Sequence, residues 1–109
     1  MTRVTFYQNL EQQCVGFDVE GHAGYAEEGE DIVCAAISAL VINTVNSIET
    51  FTEDKFRVDV DEESADICFS LEESPSKECL LLLNSLILGL QSMEDDQYTD
   101  FIDIIFEEV

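Results

Sequence analysis

Two stretches of helical period, each set between segments of period two, constrain this chain most. From Ile32 to about Thr50, Val33, Ile37, Leu40, Thr44, Ile48 and Phe51 share one stripe while Ala35, Ala36 and Ala39 fill in beside it. Cys79 to Met93 carries a second, leucine-rich stripe. Ser74 and Pro75 precede it, and proline at the first helical position gives up no donor the helix needs. Around these stretches the period drops to two. Val4 to Gln8 and then Val15, Phe17 and Val19 predict a hairpin closed by the polar "NLEQQ". Phe56, Val58 and Val60, followed by Ile67, Phe69 and Leu71, predict another across the acidic "DEES". Phe101 to Phe106 closes the pattern as a strand with apolar residues of both parities, which calls for cover on both faces by a helix, a partner subunit or both.

The order ββαββαβ implies an α+β fold in which a mainly antiparallel sheet is packed by two helices. The two strand-strand-helix units repeat in architecture only, and no linker separates them, so residues 1–109 read as one domain. A chain of this length buries roughly two-thirds of the surface that its unfolded form exposes, enough for a core without staples. Apolar residues make up 46% of it, and 25 Asp/Glu against four Lys/Arg leave a net charge of −21. Because the acids punctuate apolar segments instead of replacing them, the chain is an acidic globular protein and not a disordered tail.

That charge bounds the partners. Phosphate backbones and anionic membranes are repelled, so no direct nucleic-acid or membrane binding is expected, whereas a basic protein is attracted. "MTRVTFYQNL" lacks the apolar centre of a signal peptide, and "CLLLLNSLILGL" is too short and interrupted to span a bilayer, which predicts a cytoplasmic protein. In that compartment Cys14, Cys34, Cys68 and Cys79 are not expected to form a disulfide framework. None of them has C-x-x-C spacing, so neither a metal site nor a cofactor is expected.

The segment "GHAGYAEEGEDIVCAAISAL" holds the only histidine, His22, and one cysteine, Cys34. Asp31 is a natural N-cap, which puts Cys34 in the first helical turn. There the free backbone N–H groups and the helix dipole favour an anion, and pull a thiol pKa below its free value of about 8.5. At the free value roughly 3% of a thiol is ionised at pH 7, so such a pull decides reactivity. His22 follows the second strand between Gly21 and Gly24, residues that permit turns and close approach. The loop "AGYAEEGED" returns the chain from strand end to helix and has the glycines of a lid. Its acids, Glu27, Glu28, Glu30 and Asp31, stabilise an imidazolium but oppose a thiolate if they lie close to the sulfur.

Paired, Cys34 and His22 divide the labour of a cysteine hydrolase, with sulfur attacking the amide carbon and imidazole protonating the leaving amine. Asp31 is the candidate orienter of His22, the helix-start amides including that of Cys34 are candidate oxyanion donors, and Ser38, one turn after Cys34, is a candidate support. Cys14, Cys68 and Cys79 read as packing residues. Spacing alone leaves the catalytic pair and an ordinary buried cysteine with a nearby histidine both open.

Glycine-histidine-alanine, a glycine one place on, a short loop, then "DIVCAAISAL" followed by "NT" resembles the ribosomal-processing cysteine protease family, Prp. The resemblance implies that the family's histidine falls on His22, its nucleophile on Cys34, its aspartate on Asp31 and its helix serine on Ser38, in a small α+β homodimer. It further implies an endopeptidase that removes the N-terminal extension of a large-subunit ribosomal protein precursor, cutting after an aromatic-rich sequence. The alternative is a non-catalytic acidic module of the same fold that binds ribosomal proteins or an assembly factor. Cys34→Ser separates them, because only the protease loses its function.

Overall fold

The structure, a computed structural model, describes residues 1–21, 30–64, 66–95 and 101–109, with only the backbone at Glu30 and Asp31. Its elements are β1 (Thr2–Gln8), β2 (Cys14–Glu20), α1 (Glu30–Phe51), β3 (Phe56–Val60), β4 (Ile67–Leu71), α2 (Lys77–Asp95) and β5 (Ile102–Glu108). This is the predicted ββαββαβ order. The strands form one sheet in the order β3-β4-β2-β1-β5, antiparallel throughout except where β5 runs parallel to β1.

That one exception follows from connectivity. A tight turn joins only antiparallel neighbours, whereas a helix carries the chain back to begin another strand in the same direction. α1 does this between β2 and β3, and α2 between β4 and β5; the right-handed rule for such crossovers puts both helices on one face of the sheet. The core lies between. A row of phenylalanines crosses the whole sheet, with ring centroids 5.2 Å apart for Phe56 and Phe69, 4.9 Å for Phe69 and Phe17, 5.9 Å for Phe17 and Phe6, and 5.7 Å for Phe6 and Phe106. Val33, Ile37, Val41 and Ile48 of α1, with Cys79, Leu83, Leu86 and Leu90 of α2, close over it.

Three local expectations are corrected. Phe51, assigned to the buried stripe of α1, is its last residue and is 75% exposed, while Val41 takes the core position between Ile37 and Thr44. The second helix starts at Lys77, not at Pro75. Ser76 is its N-cap, with its hydroxyl accepting the Cys79 N–H at 3.1 Å and donating to Asp54, whose carboxylate also accepts the Ser76 N–H. Nor is "CLLLLNSLILGL" the stretch on which a membrane-spanning length had to be judged, since Ile32–Phe51 is long and apolar enough by length and composition to cross a bilayer. In this fold Val33, Ile37, Val41 and Ile48 of that stretch pack into the core, while Ile32, Ile42 and Phe51 are exposed.

β5 is an edge strand. Ile102 is buried and Ile104 packs on the core, but Phe106, on the same helix-facing side, is 42% exposed, so even that face is not fully covered within one chain. The Ile104 N–H is taken by a Glu94 oxygen at 2.8 Å, which blocks part of the open edge against another strand.

Candidate active site

β1 enters the sheet beside two other chain segments that bear on the chemistry. Thr2 is fully buried on the helix-facing side, its N–H donates to the Phe101 carbonyl at 2.9 Å, and it pairs with Ile102. Its Oγ1 lies 3.5 Å from the sulfur of Cys34. From the other side, Gly21 follows the last residue of β2 with a φ of 76°. A Cβ at Gly21 would fall 2.5 Å from the Met1 carbonyl oxygen and 3.8 Å from Thr2 Cα, so both backbone conformation and space require glycine. Gly21, the residue that precedes His22, thus lies close against the Met1–Thr2 backbone, and the sulfur of Cys34 lies against the Thr2 hydroxyl.

Cys34 is half-buried on α1. The helix begins at Glu30, so Asp31 lies inside the first turn and is not the N-cap that the sequence suggested. One consequence concerns the amides. The helical ladder pairs the Cys34 N–H with the carbonyl four residues earlier, so that amide is not a free oxyanion donor; the unbonded donors of this end lie no later than Ile32. The sulfur keeps its relation to them, because helical side chains lean toward the turn before their own Cα. Ser38 follows one turn on, half-buried on the same face.

The remaining site assignments fall outside the described residues: His22, Gly24, Glu27, Glu28 and the lid loop entirely, and the side chains of Glu30 and Asp31. Sequence reasoning missed Thr2. The available signal was a hydroxyl in the inward row Thr2, Val4, Phe6, where every other member is apolar.

The other three thiols are held protonated. Burial pushes Cys14 up to about 11, and burial followed by the Asp54 charge pushes Cys79 up to about 12. Cys68 is exposed on the opposite face of the sheet, directly across from Asp18, and the nearby Asp18 carboxylate and then burial push it up to about 11. Among the described residues no group of His, Cys, Asp and Glu is arranged to hold a metal ion. A groove of about 420 Å³ along Lys77, Leu80, Leu81 and Asn84 lies at the start of α2, which Ser76 and Asp54 tie to the C-terminal end of α1. Cys34 is at the other end of α1, roughly 25 Å away by helical rise.

A half-buried cysteine at the start of a core helix, facing a glycine-bounded strand end in a ββαββαβ sheet, defines the frame of a small cysteine peptidase. The model of the family described as cysteine protease Prp matches residues 1–103, and the chain belongs to that family. It is 29% identical over 100 residues to the ribosomal processing cysteine protease Prp of Bacillus subtilis (strain 168), a match that spans 88% of this chain and 89% of that protein. A Staphylococcus aureus (strain Mu50 / ATCC 700699) protein of the same name is 28% identical over 96 residues, with 88% of this chain and 91% of that one covered. In structure, the chain is similar to a ribosomal processing protease Prp from S. aureus in complex with a substrate peptide, with a TM-score of 0.93, 26% identity and coverage of 98% and 100%. The enzyme class expected from the sequence is thereby established: this is a cysteine protease.

Proposed function

We propose that this protein is a cytoplasmic endopeptidase that removes the N-terminal extension of a large-subunit ribosomal protein precursor, with Cys34 as nucleophile and His22 as general base and acid. The observation that carries the assignment of the pair is that the Cys34 sulfur and Gly21, the neighbour of His22, both lie at the Met1–Thr2 start of β1. In the reaction the Cys34 thiolate forms a C–S bond to the scissile carbonyl carbon, and the carbonyl electrons move to oxygen. As that tetrahedral centre collapses, the C–N bond breaks and the His22 imidazolium gives its proton to the leaving amine. Water, deprotonated by His22, then attacks the thioester, which releases the carboxylate and restores the thiolate. The N–H groups of the first turn, up to Ile32, are the donors suited to the developing oxyanion, and Asp31 is the orienter of His22.

Charge favours the same substrate. A net −21 attracts a basic ribosomal protein, and Glu27, Glu28 and Glu30, between His22 and Cys34 in the sequence, contribute to that charge. The partly exposed Phe106 on β5 favours a homodimer formed through side-chain packing, since Glu94 already takes the Ile104 N–H at that edge. Incubation of the purified protein with a ribosomal protein precursor, read by mass, tests the assignment. Cleavage at the extension is expected to vanish in Cys34→Ser and to fall about a hundred- to ten-thousand-fold in His22→Ala. A Cys34→Ser protein that still cleaves would refute it.

A further inference from the structure

Thr2 faces the core together with Val4 and Phe6, and none of the three is exposed to solvent. A valine would fit the same space and the same strand. A hydroxyl buried there is unfavourable unless it is hydrogen-bonded. Its contact is the Cys34 sulfur at 3.5 Å, a residue 32 positions away. The contact is anchored on both sides, because Thr2 is held by β5 through Phe101 and Ile102 while Cys34 is fixed in α1.

We infer that Thr2 is a positioning residue for the nucleophile, its hydroxyl donating a hydrogen bond to the Cys34 sulfur and so fixing the sulfur's direction and favouring its ionised form. This rests on the reading of Cys34 as the nucleophile. While the sulfur is a thiol, either partner can donate. Once it is a thiolate it has no proton, and only the threonine hydroxyl can donate. The bond is thus directed in the charged state alone, which is the condition for a hydrogen bond to favour ionisation. Thr2 neither gains nor loses a proton in the cycle. The same bond tempers the sulfur, because a thiolate that forms more readily is intrinsically a weaker nucleophile.

The two effects together give a test that simple packing does not mimic. Alkylation of each cysteine by iodoacetamide is followed against pH by peptide mass in the full chain, in wild type, Thr2→Val and Thr2→Ser. In Thr2→Val the rise of Cys34 reactivity is expected to move to higher pH, with about a tenfold lower rate on the acid side and a plateau at high pH equal to or above that of wild type. Thr2→Ser keeps the hydroxyl and is expected to follow wild type. Superimposable profiles for wild type and Thr2→Val would overturn the inference, as would equal losses in the valine and serine variants. Failure of the nucleophile reading is distinct: Cys34 would then be no more reactive than Cys68 in wild type. If Thr2→Val does not fold, Thr2→Ala against Thr2→Ser makes the same comparison.

Discussion

At the level of single residues, exposure and reactivity part company. Cys68 is the exposed cysteine and Cys34 only half-buried, so access alone would predict that Cys68 reacts first. Asp18 reverses this. Its carboxylate accepts the Tyr7 O–H and pushes that phenol up to about 12, and across the strand pair the same carboxylate, with burial second, pushes the Cys68 thiol up to about 11. With a pKa near 11, only about 0.1% of a thiol is ionised at pH 8. A limiting amount of iodoacetamide at pH 8 is therefore expected to label Cys34 and spare Cys68, as read by peptide mass. Asp18→Asn should raise Cys68 labelling several-fold at that pH, and an unchanged rate would assign its protection to something other than the carboxylate. Gly21→Ala is expected to cost at least about 1–2 kcal/mol, because an L side chain is strained at a φ of 76° and its Cβ would meet the Met1 carbonyl. Urea denaturation measures the loss. Peptidase activity should fall further than stability does, since the displaced backbone is that of His22's neighbour.

Among the elements, the two helices are tied at the end of α1 remote from Cys34. Asp54, just past α1, accepts both the backbone N–H and the hydroxyl of Ser76, and Ser76 in turn caps α2. Removing the cap in Ser76→Ala is expected to lower stability by about 1 kcal/mol, measured by denaturation, with the alkylation profile of Cys34 unchanged at the far end of α1. Asp54 gives this tie a pH dependence. Burial pushes its pKa up, but the Ser76 and Thr52 hydrogen bonds outweigh burial and hold it below the ordinary carboxylate range. A carboxyl lowered by folding stabilises the native state above its unfolded pKa of about 3.9, and that contribution is lost as the pH falls through the lower, folded value. Because Asp54 is only part-buried, the effect is small, and Asp54→Asn should flatten the acid limb of the stability curve only slightly. The helix boundaries were legible to within two or three residues. Ser76 was the better cap than Ser74 only because Asp54, more than twenty positions earlier, orients its hydroxyl, a relation no local pattern contains.

For the whole molecule, the dominant quantity is charge. With 25 acids against four bases, the folded chain repels itself more than the expanded one does. Raising salt from 0.05 to 0.5 M, which shortens the Debye length from over 10 Å to under 5 Å, is expected to raise the melting temperature while slowing capture of a basic precursor. Opposite signs for the two effects are the signature, and a capture rate independent of salt would remove charge from substrate recognition. The sequence by itself determined the element order, the α+β class and the family, because strand and helix periods, turn residues and the "GHAG…DIVC" motif are all local along the chain. It also isolated His22 and Cys34 as the pair worth testing. Tertiary structure decided which strands are neighbours, that β5 runs parallel to β1, and that Thr2 meets the Cys34 sulfur. It decided as well that the Cys34 amide is used inside the helix. These depend on how distant segments share space, since periodicity reports which face of an element is apolar but carries no term for what that face will touch.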